Sequence, residues 1–561
     1  MDEQRLTYLI GRVIPVSAYL VIILVGGLFF GCAANNNAGK VSASNLRTEQ
    51  PNILWLVTED ISPYLACYGD STAKTPNLDR LAREGVRFTN VFSVSGVCAP
   101  SRSCLITGMY PTSIGTDNMR TLNKFPQINI PAYSVVLPPE VKMFSEIMRA
   151  NGYYCTNNAK QDYQFKAPVT GWDESSKMAH WRNHPQNKPF FSVFNFEVTH
   201  ESQIWERKNL PSMVDPEKVK LPPYYPESLV IRKDMARMYS NIEEMDKQVG
   251  ELLKQLEEDG LLEKTIIIFY SDNGGPIPRG KREVYDTGLR VPFIIRYPNK
   301  QQAGQVVDQL VSFVDFAPST LSLANIKIPA YMQGKAFLGS QKTEPRQYVY
   351  AARDRMDSEY DMVRAVGDKR FKYLRNFQPE KPYIQNVAYR LDMALMQELL
   401  RLQKEGKLNE EQKLWFRKTK PEEEFYDTQT DPYELNNLAQ NPKYAAKLAE
   451  LKSELDKWMK FTQDKGFIPE QQWVEQIWPG MKQPVTAEPV LNLQQNQVTV
   501  SCATTGASIA WQILPKGEKP KANAWQVYTG PVSLMANQEV YALAERIGYK
   551  QSKIVSLGKK P

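Results

Sequence analysis

Histidine is almost absent from this chain: 561 residues carry three, His180, His184 and His200. A His-rich transition-metal centre is therefore excluded, and any metal must rest on oxygen donors. Cysteine is scarce as well. The six, Cys32, Cys67, Cys98, Cys104, Cys155 and Cys502, have spacings that suit neither a zinc ribbon nor a dense disulfide framework. Neither sign of charge dominates, with 69 Lys and Arg against 62 Asp and Glu, a net +7 spread along the chain. That balance calls for no nucleic acid and is compatible with a mild preference for polyanionic substrates. Internal repeats at solenoid or propeller periods are missing too.

What is present is enough apolar sequence, 42% of residues, to build large cores in two or three domains. Near the N-terminus, residues 13–31 are uncharged and largely apolar, Arg12 precedes them, and Cys32 follows with a small, polar run to residue 40. This pattern reads as a secretory signal with a lipoprotein-type cleavage before Cys32. Phe29-Phe30-Gly31-Cys32 lacks the usual Leu at the first lipobox position. The rival is an uncleaved anchor, since roughly 19 apolar residues just span a bilayer. Either way the folded part is exported, periplasmic or at the cell surface, with the membrane as a partner through a lipid or an anchor.

Three apolar runs, residues 51–58, 190–196 and 265–270, read as fully buried strands. Each ends abruptly in polar residues: Glu59-Asp60, the stretch up to His200, and Ser271-Asp272-Asn273-Gly274. Helical patterns lie between them, at residues 75–85, 139–151 and 231–260. Buried strands alternating with helices predict a doubly wound α/β sheet, whose ligands bind beyond the carboxyl ends of the strands. Acidic pairs after strands are also common turn and cap residues. Further on, an amphipathic stretch spans residues 386–405 and a helix residues 444–464. A Pro-containing linker at 479–489 leads to short strands at 498–502, 508–513, 525–528 and 539–544.

The most informative stretch is Val97-Cys98-Ala99-Pro100-Ser101-Arg102, followed by Thr107-Gly108. Pro at a first helical position would place Cys98 at a helix N-terminus, where free N–H groups and the helix dipole favour an anion. Arg102, one turn on, adds a fixed positive fork. The ordinary alternative is a small core thiol in front of a helix.

The run Cys98-Ala99-Pro100-Ser101-Arg102 resembles the C-x-P-S-R motif of type I sulfatases. Asp272-Asn273-Gly274, Lys281 and Gly288-x-Arg290-Val291-Pro292 follow in that family's order. The resemblance covers about residues 51–475. It implies an α/β, alkaline-phosphatase-like sulfatase fold with a large mixed sheet flanked by helices, a smaller C-terminal α+β subdomain and an appended all-β module. The corresponding segments are 1–40 for the signal or anchor, 50–375 for the catalytic domain, 376–478 for the subdomain and 486–558 for the module.

The resemblance further implies that Cys98 is oxidised to formylglycine by a maturase and that its hydrate is the nucleophile. The family's metal ligands fall on Glu59, Asp60, Asp272 and Asn273, all hard donors suited to Ca²⁺. Glu59 departs from the usual Asp. Arg102 would hold the hydrate, Lys160 falls on the catalytic Lys of the family's G-K-x-H motif, His200 would protonate the leaving group, and Lys281 would bind sulfate oxygens. Asp162 stands where the family has a His, which leaves the second half-reaction without its usual helper. Arg120, Arg353 and Asp354 are further candidate substrate contacts, against the ordinary reading of Arg353-Asp354 as an ion pair.

Residues 272–281 and Leu221-Pro222-Pro223-Tyr224-Tyr225-Pro226 resemble the heparan N-sulfatase (sulfamidase) branch, which implies a sulfated carbohydrate substrate of the glycosaminoglycan amino-sugar type. Residues 507–549 resemble a chitobiase-type β-sandwich, with Trp511, Trp525 and Tyr549 as stacking or core residues. The alternatives are a phosphatase or phosphodiesterase of the same superfamily, and a non-enzymatic lipoprotein that binds sulfated glycans.

Overall fold

The computed structural model describes residues 50–558. The signal or anchor segment and Cys32 lie outside the described residues. Among the described residues no helix is long and apolar enough to cross a membrane, and the five described cysteines form no disulfide.

The central sheet has eight strands: β1 (Asn52–Thr58), β2 (Val86–Phe92), β3 (Tyr154–Asn158), β4 (Glu174–Ser175), β5 (Phe190–Phe196), β6 (Thr265–Ser271), β7 (Arg290–Arg296) and β8 (Val306–Ser312). Their order is β4-β3-β5-β1-β6-β7-β2-β8. β1 runs parallel to both β5 and β6, whereas β7 is antiparallel to β6 and β2, so the sheet is mixed. β1 is buried on both faces from Ile53 onward, as a near-continuous apolar run requires. Two apolar cores cover the two faces, one around Trp55, Phe144 and Phe316 and one around Leu54, Phe269 and Met245.

The helix expected at 231–260 runs Leu229–Glu258, capped by Ser228, whose side chain accepts from the Val230 N–H. It carries Asp246, whose carboxylate accepts the N–H groups of Asn77 and Leu78 at the first turn of the helix Pro76–Glu84. The helix expected from 139 starts only at Phe144. There Glu146 accepts the Met143 N–H, while Pro139 lies against Gly506 of the C-terminal strands. Helix Cys98–Thr107 is buried at all ten positions, so it has no solvent face. It begins at Cys98 itself, and Pro100 is its third residue, not its first. It ends at Gly108, whose φ of 69° permits the N–H to reach Cys104 O.

A second, antiparallel sheet of order β12-β11-β10-β9 comprises β9 (Val349–Arg353), β10 (Val363–Gly367), β11 (Phe371–Asn376) and β12 (Glu423–Asp427). The expected stretch at 386–405 narrows to a helix at Ala394–Lys404, and the later one to Ala445–Thr462. The C-terminal strands form a three-stranded and a four-stranded sheet around Val498, Leu534, Val540 and Ala542. Trp525 is buried there, while Trp511 and Tyr549 are half-buried. Arg546 donates to Leu137 O, Lys142 to Ser508 Oγ, and the Val169 N–H to Glu545, so these sheets lock onto residues 135–170.

Candidate active site

Register builds the site. Thr58 at the end of β1 stands opposite Ser271 of β6 and Phe196 of β5. The next residues, Glu59-Asp60, Asp272-Asn273 and the turn to His200, therefore emerge side by side, on strands about 4.8 Å apart. β3 ends one strand further out, with Asn158 opposite Phe194, which brings Lys160 to the same edge. The backbone is strained here: Asp60, Arg120, Asp162 and Arg282 all have φ between 48° and 74°.

Cys98, fully buried, lies with its Sγ 3.5 Å from Lys281 Nζ and 4.0 Å from Asp60 Oδ1. Burial pushes the thiol well up, against the pull of Lys281 and Lys160, so an unmodified Cys98 is a neutral thiol and a poor nucleophile. Asp60 is opposed by burial, but Lys281 and then His200 outweigh that and hold its carboxyl far below the usual range. The Asp60 N–H donates to Asp272 Oδ1 at 3.2 Å, and Asn273 Nδ2 donates to Asp60 Oδ1 at 2.9 Å. Glu59 is raised to about 7 by burial, against Lys160, whose Nζ is 2.7 Å away.

Arg102 touches Asp272 at 2.9 Å, Asn195 at 2.7 Å and Glu59 at 3.2 Å. Each of its three nitrogens donates to one of these groups, so it fixes the acidic residues, and it makes no hydrogen bond to Cys98. Asp162 pairs with Lys160 at 3.6 Å. Burial works against ionisation of Asp162, but Lys160 and Arg120 outweigh it and lower its pKa. Burial, followed by Lys281, lowers His200 to about 3. Its Nδ1 accepts the Ser202 N–H at 3.3 Å, which assigns the ring proton to Nε2. In the resting site His200 is thus a neutral N–H donor.

Arg120 stands at the mouth, 3.4 Å from Asp357 and in the field of Asp162 and Cys98. Arg353 and Asp354 are placed elsewhere. Arg353 is buried against Glu283 and Gln385, and Asp354 makes a two-pronged pair with Arg364 at 2.9 Å. Neither contacts Cys98, Lys281 or His200 among the described residues.

Sequence reading missed four contributors. Glu201 donates its N–H to Asp60 at 2.8 Å, and its carboxylate takes Arg282 at 2.6 and 2.8 Å. Asn195 orients Arg102, and Thr199 Oγ1 accepts the Glu59 N–H at 3.1 Å. Glu201 and Arg282 are chain neighbours of His200 and Lys281, which is the only signal that could have singled them out.

The donor set fits a divalent cation. Ligand atoms of Asp60, Asp272 and Cys98 lie within 4.8 Å of one another. Asn273 Oδ1 is buried and has no hydrogen-bond partner among the described residues, an orphaned acceptor. Hard oxygens, fully buried, match Ca²⁺ or Mg²⁺ better than zinc. A separate cleft of about 670 Å³, lined by Tyr64, Tyr224, Tyr433 and Arg290, includes none of these groups.

Fold and site together define a hydrolase of the alkaline-phosphatase-like architecture. Comparison with known proteins narrows this. The family described as Sulfatase matches residues 51–183 and 173–326, and the C-terminal part of N-sulphoglucosamine sulphohydrolase matches residues 279–391. An ulvan-active sulfatase of Formosa agariphila is 49% identical over 545 residues, 91% of each chain. Human N-sulphoglucosamine sulphohydrolase is 25% identical over 506 residues, 80% of this chain and 94% of its own. Among solved structures, one in complex with its substrate D-glucosamine-2-N,6-O-disulfate aligns with a TM-score of 0.54 at 19% identity. It covers 74% of this chain and 99% of its own. A phosphonate monoester hydrolase from Silicibacter pomeroyi aligns equally well, TM-score 0.54 at 17% identity, covering 75% and 97%. These two show the shared fold. The chain belongs to the sulfatase family. It is a sulfuric ester hydrolase acting on sulfated carbohydrates, in a family that generally uses formylglycine and a divalent metal.

Proposed function

We propose that the chain removes sulfate from saccharides derived from ulvan, with Cys98 as the formylglycine precursor and Ca²⁺ held by Glu59, Asp60, Asp272 and Asn273. The observation that carries this is the buried Cys98 beside Lys281 and Asp60, whose Oδ1 also accepts from Asn273, with Asn273 Oδ1 left without a donor among the described residues. Ulvan is preferred over a glycosaminoglycan amino sugar because the ulvan-active relative is 49% identical over nearly the whole chain, against 25% for the sulphoglucosamine hydrolase.

A cation at this site would polarise a sulfate oxygen and favour deprotonation of an adjacent hydroxyl. The aldehyde made from Cys98 would, once hydrated, supply the attacking oxygen. Lys281 Nζ, 3.5 Å from Cys98 Sγ, is placed to hold a sulfate oxygen, and burial of the whole edge strengthens that attraction. His200 presents Nε2–H towards the leaving group as a donor. Arrival of a sulfate anion beside it raises its proton affinity and makes proton transfer easier. Arg102 and Lys160 hold Glu59 in place. Asp162, ionised and paired with Lys160, is a weak base.

Oxygen donors with a single nearby imidazole support this over a two-zinc phosphatase or phosphodiesterase, and the buried charge cluster supports catalysis over simple glycan binding. Residues 12–32 support export to the periplasm or cell surface with a lipid or helical anchor. A formylglycine-generating maturase is then the required partner. The test weighs the Cys98 peptide by mass spectrometry and measures sulfate released from ulvan oligosaccharides against sulfated glucosamine. An aldehyde at 98 and release from ulvan are expected. Active protein with an unmodified Cys98 refutes the nucleophile, and release from sulfated glucosamine alone refutes the substrate.

A further inference from the structure

Beside the catalytic centre lies a cleft of about 560 Å³ that the reaction does not use. Its volume is within the ~300–1,000 Å³ range of ligand sites. Two chain segments join it to the centre. Asp117 and Asn118 line the cleft, and Arg120, two residues on, stands in the field of Cys98 and Asp162. Arg355 lines it from the facing segment, and Asp357, again two residues on, pairs with Arg120. The segments are stitched together, since the Met119 N–H donates to Arg355 O at 2.8 Å and the Arg355 N–H to Asn118 Oδ1 at 3.1 Å.

The walls are rigid. Arg355 binds both oxygens of Glu470 at 2.7 Å, and Tyr360 donates to the same carboxylate at 2.6 Å. Asp361 is closed by Lys420 at 2.6 and 2.7 Å. Asp117 is different. It is 5% exposed, faces the cleft, and takes no hydrogen bond from another residue among the described residues. Burial, followed by Asp354, pushes its carboxyl well up, against the pull of Arg364. Phe467 adds an apolar ring, 53% exposed, on the cleft wall. A carboxyl group deep in a cleft with no hydrogen bond from another described residue, and a half-exposed ring at its rim, match the hydroxyl edge and the apolar face of a pyranose.

We propose that this cleft is a saccharide subsite, seating the sugar next to the sulfated one in an oligomeric substrate. The proposal rests on the ulvan reading above. The decisive probe is a chemically desulfated ulvan oligosaccharide, titrated calorimetrically into the full chain carrying Cys98→Ala. Adding Phe467→Ala or Asp117→Leu should weaken binding about tenfold each, the size of one buried contact or hydrogen bond. Should Asp117→Leu not fold, Asp117→Asn and the exposed Phe467→Ala carry the test. In the Cys98 enzyme, the same variants should lose at least fivefold more kcat/KM on sulfated ulvan oligosaccharide than on an aryl sulfate. Unchanged affinities, or equal losses on both substrates, overturn the subsite. Absence of sulfate release from ulvan by the unaltered enzyme overturns the substrate reading, and the subsite with it; release combined with unchanged affinities overturns the subsite alone.

Discussion

Two arginines of this protein are buried between two carboxylates each, and they do different things. Arg364, in the smaller sheet, meets Asp354 and Asp464 through four contacts of 2.5 to 2.9 Å. Both acids are used up in pairing: the cluster is closed. Arg102, at the edge of the large sheet, takes one oxygen of Asp272 and one of Glu59 and gives its remaining fork to Asn195. Beside it Asn273 Oδ1 is left without a donor among the described residues. Closure on one side and an open acceptor on the other mark where the chain builds structure and where it leaves room for a ligand. Buried charge alone does not distinguish the two; the unfilled lone pairs do.

The comparison can be broken most sharply at its centre. Cys98→Ala should reduce turnover by ~10⁴-fold or more, as loss of a nucleophile does, with Tm almost unmoved because the replacement only shortens a buried side chain. Residual sulfatase activity near that of the unaltered enzyme would mean the open site is not the active one.

Next in size is the arginine pair itself. Arg364→Ala should cost ~3–5 kcal/mol in stability, the penalty for stranding two buried carboxylates, while the folded fraction keeps its kcat. Arg102→Ala should instead lower kcat by ~10²–10³, the scale for a lost preorganised charge in a site. Its stability loss should be smaller, since Lys160 still neutralises Glu59. Urea unfolding and steady-state kinetics on both variants decide this. If Arg102→Ala unfolds the protein and Arg364→Ala kills only activity, the contrast is reversed.

Metal removal should be milder in stability than the Arg364 change. Dialysis against a chelator should abolish activity reversibly and lower stability by ~3 kcal/mol if the cation was present at about a hundred times its Kd. Re-addition of Ca²⁺ should restore both, and Arg364→Ala should show the same Ca²⁺ response as the unaltered chain. A chelator without effect on Tm would leave Asn273 Oδ1 unexplained.

The strand ends were readable because their causes are local. Uninterrupted apolar runs at 51–58, 190–196 and 265–270 stop at polar residues, and burial of both faces forces those residues to the same edge. The C-x-P-S-R run is likewise local. Arg353 and Asp354 were not readable, because nothing in the sequence tells that Glu283, 70 positions earlier, and Arg364 close them off. The start of the helix at Phe144 escaped notice for the same reason: the C-terminal strands dock on Pro139 from more than 350 positions away. Glu201 and Arg282 pair across 81 positions, a distance over which only the folded sheet makes them neighbours.

The smallest expected effect sharpens the comparison through pH. His200 has its folded pKa depressed to about 3 from the ordinary 6.5, by burial first and Lys281 second. Above pH 6.5 the ring is neutral whether the chain is folded or not, and it adds no pH dependence. Below that, the unfolded chain binds a proton that the folded one refuses, so stability falls as pH drops from 6.5 towards 3. Asp354, paired with Arg364, shifts the other way: burial raises it to about 6, so its contribution is present in acid and lost as pH rises through that value. His200→Gln should therefore flatten the acid-side decline of Tm between pH 6.5 and 5, by removing the group that opposes folding in acid. Thermal melts of His200→Gln and the unaltered chain across that range suffice. Parallel profiles for His200→Gln and the unaltered chain would mean that the imidazole is not held neutral by its buried position.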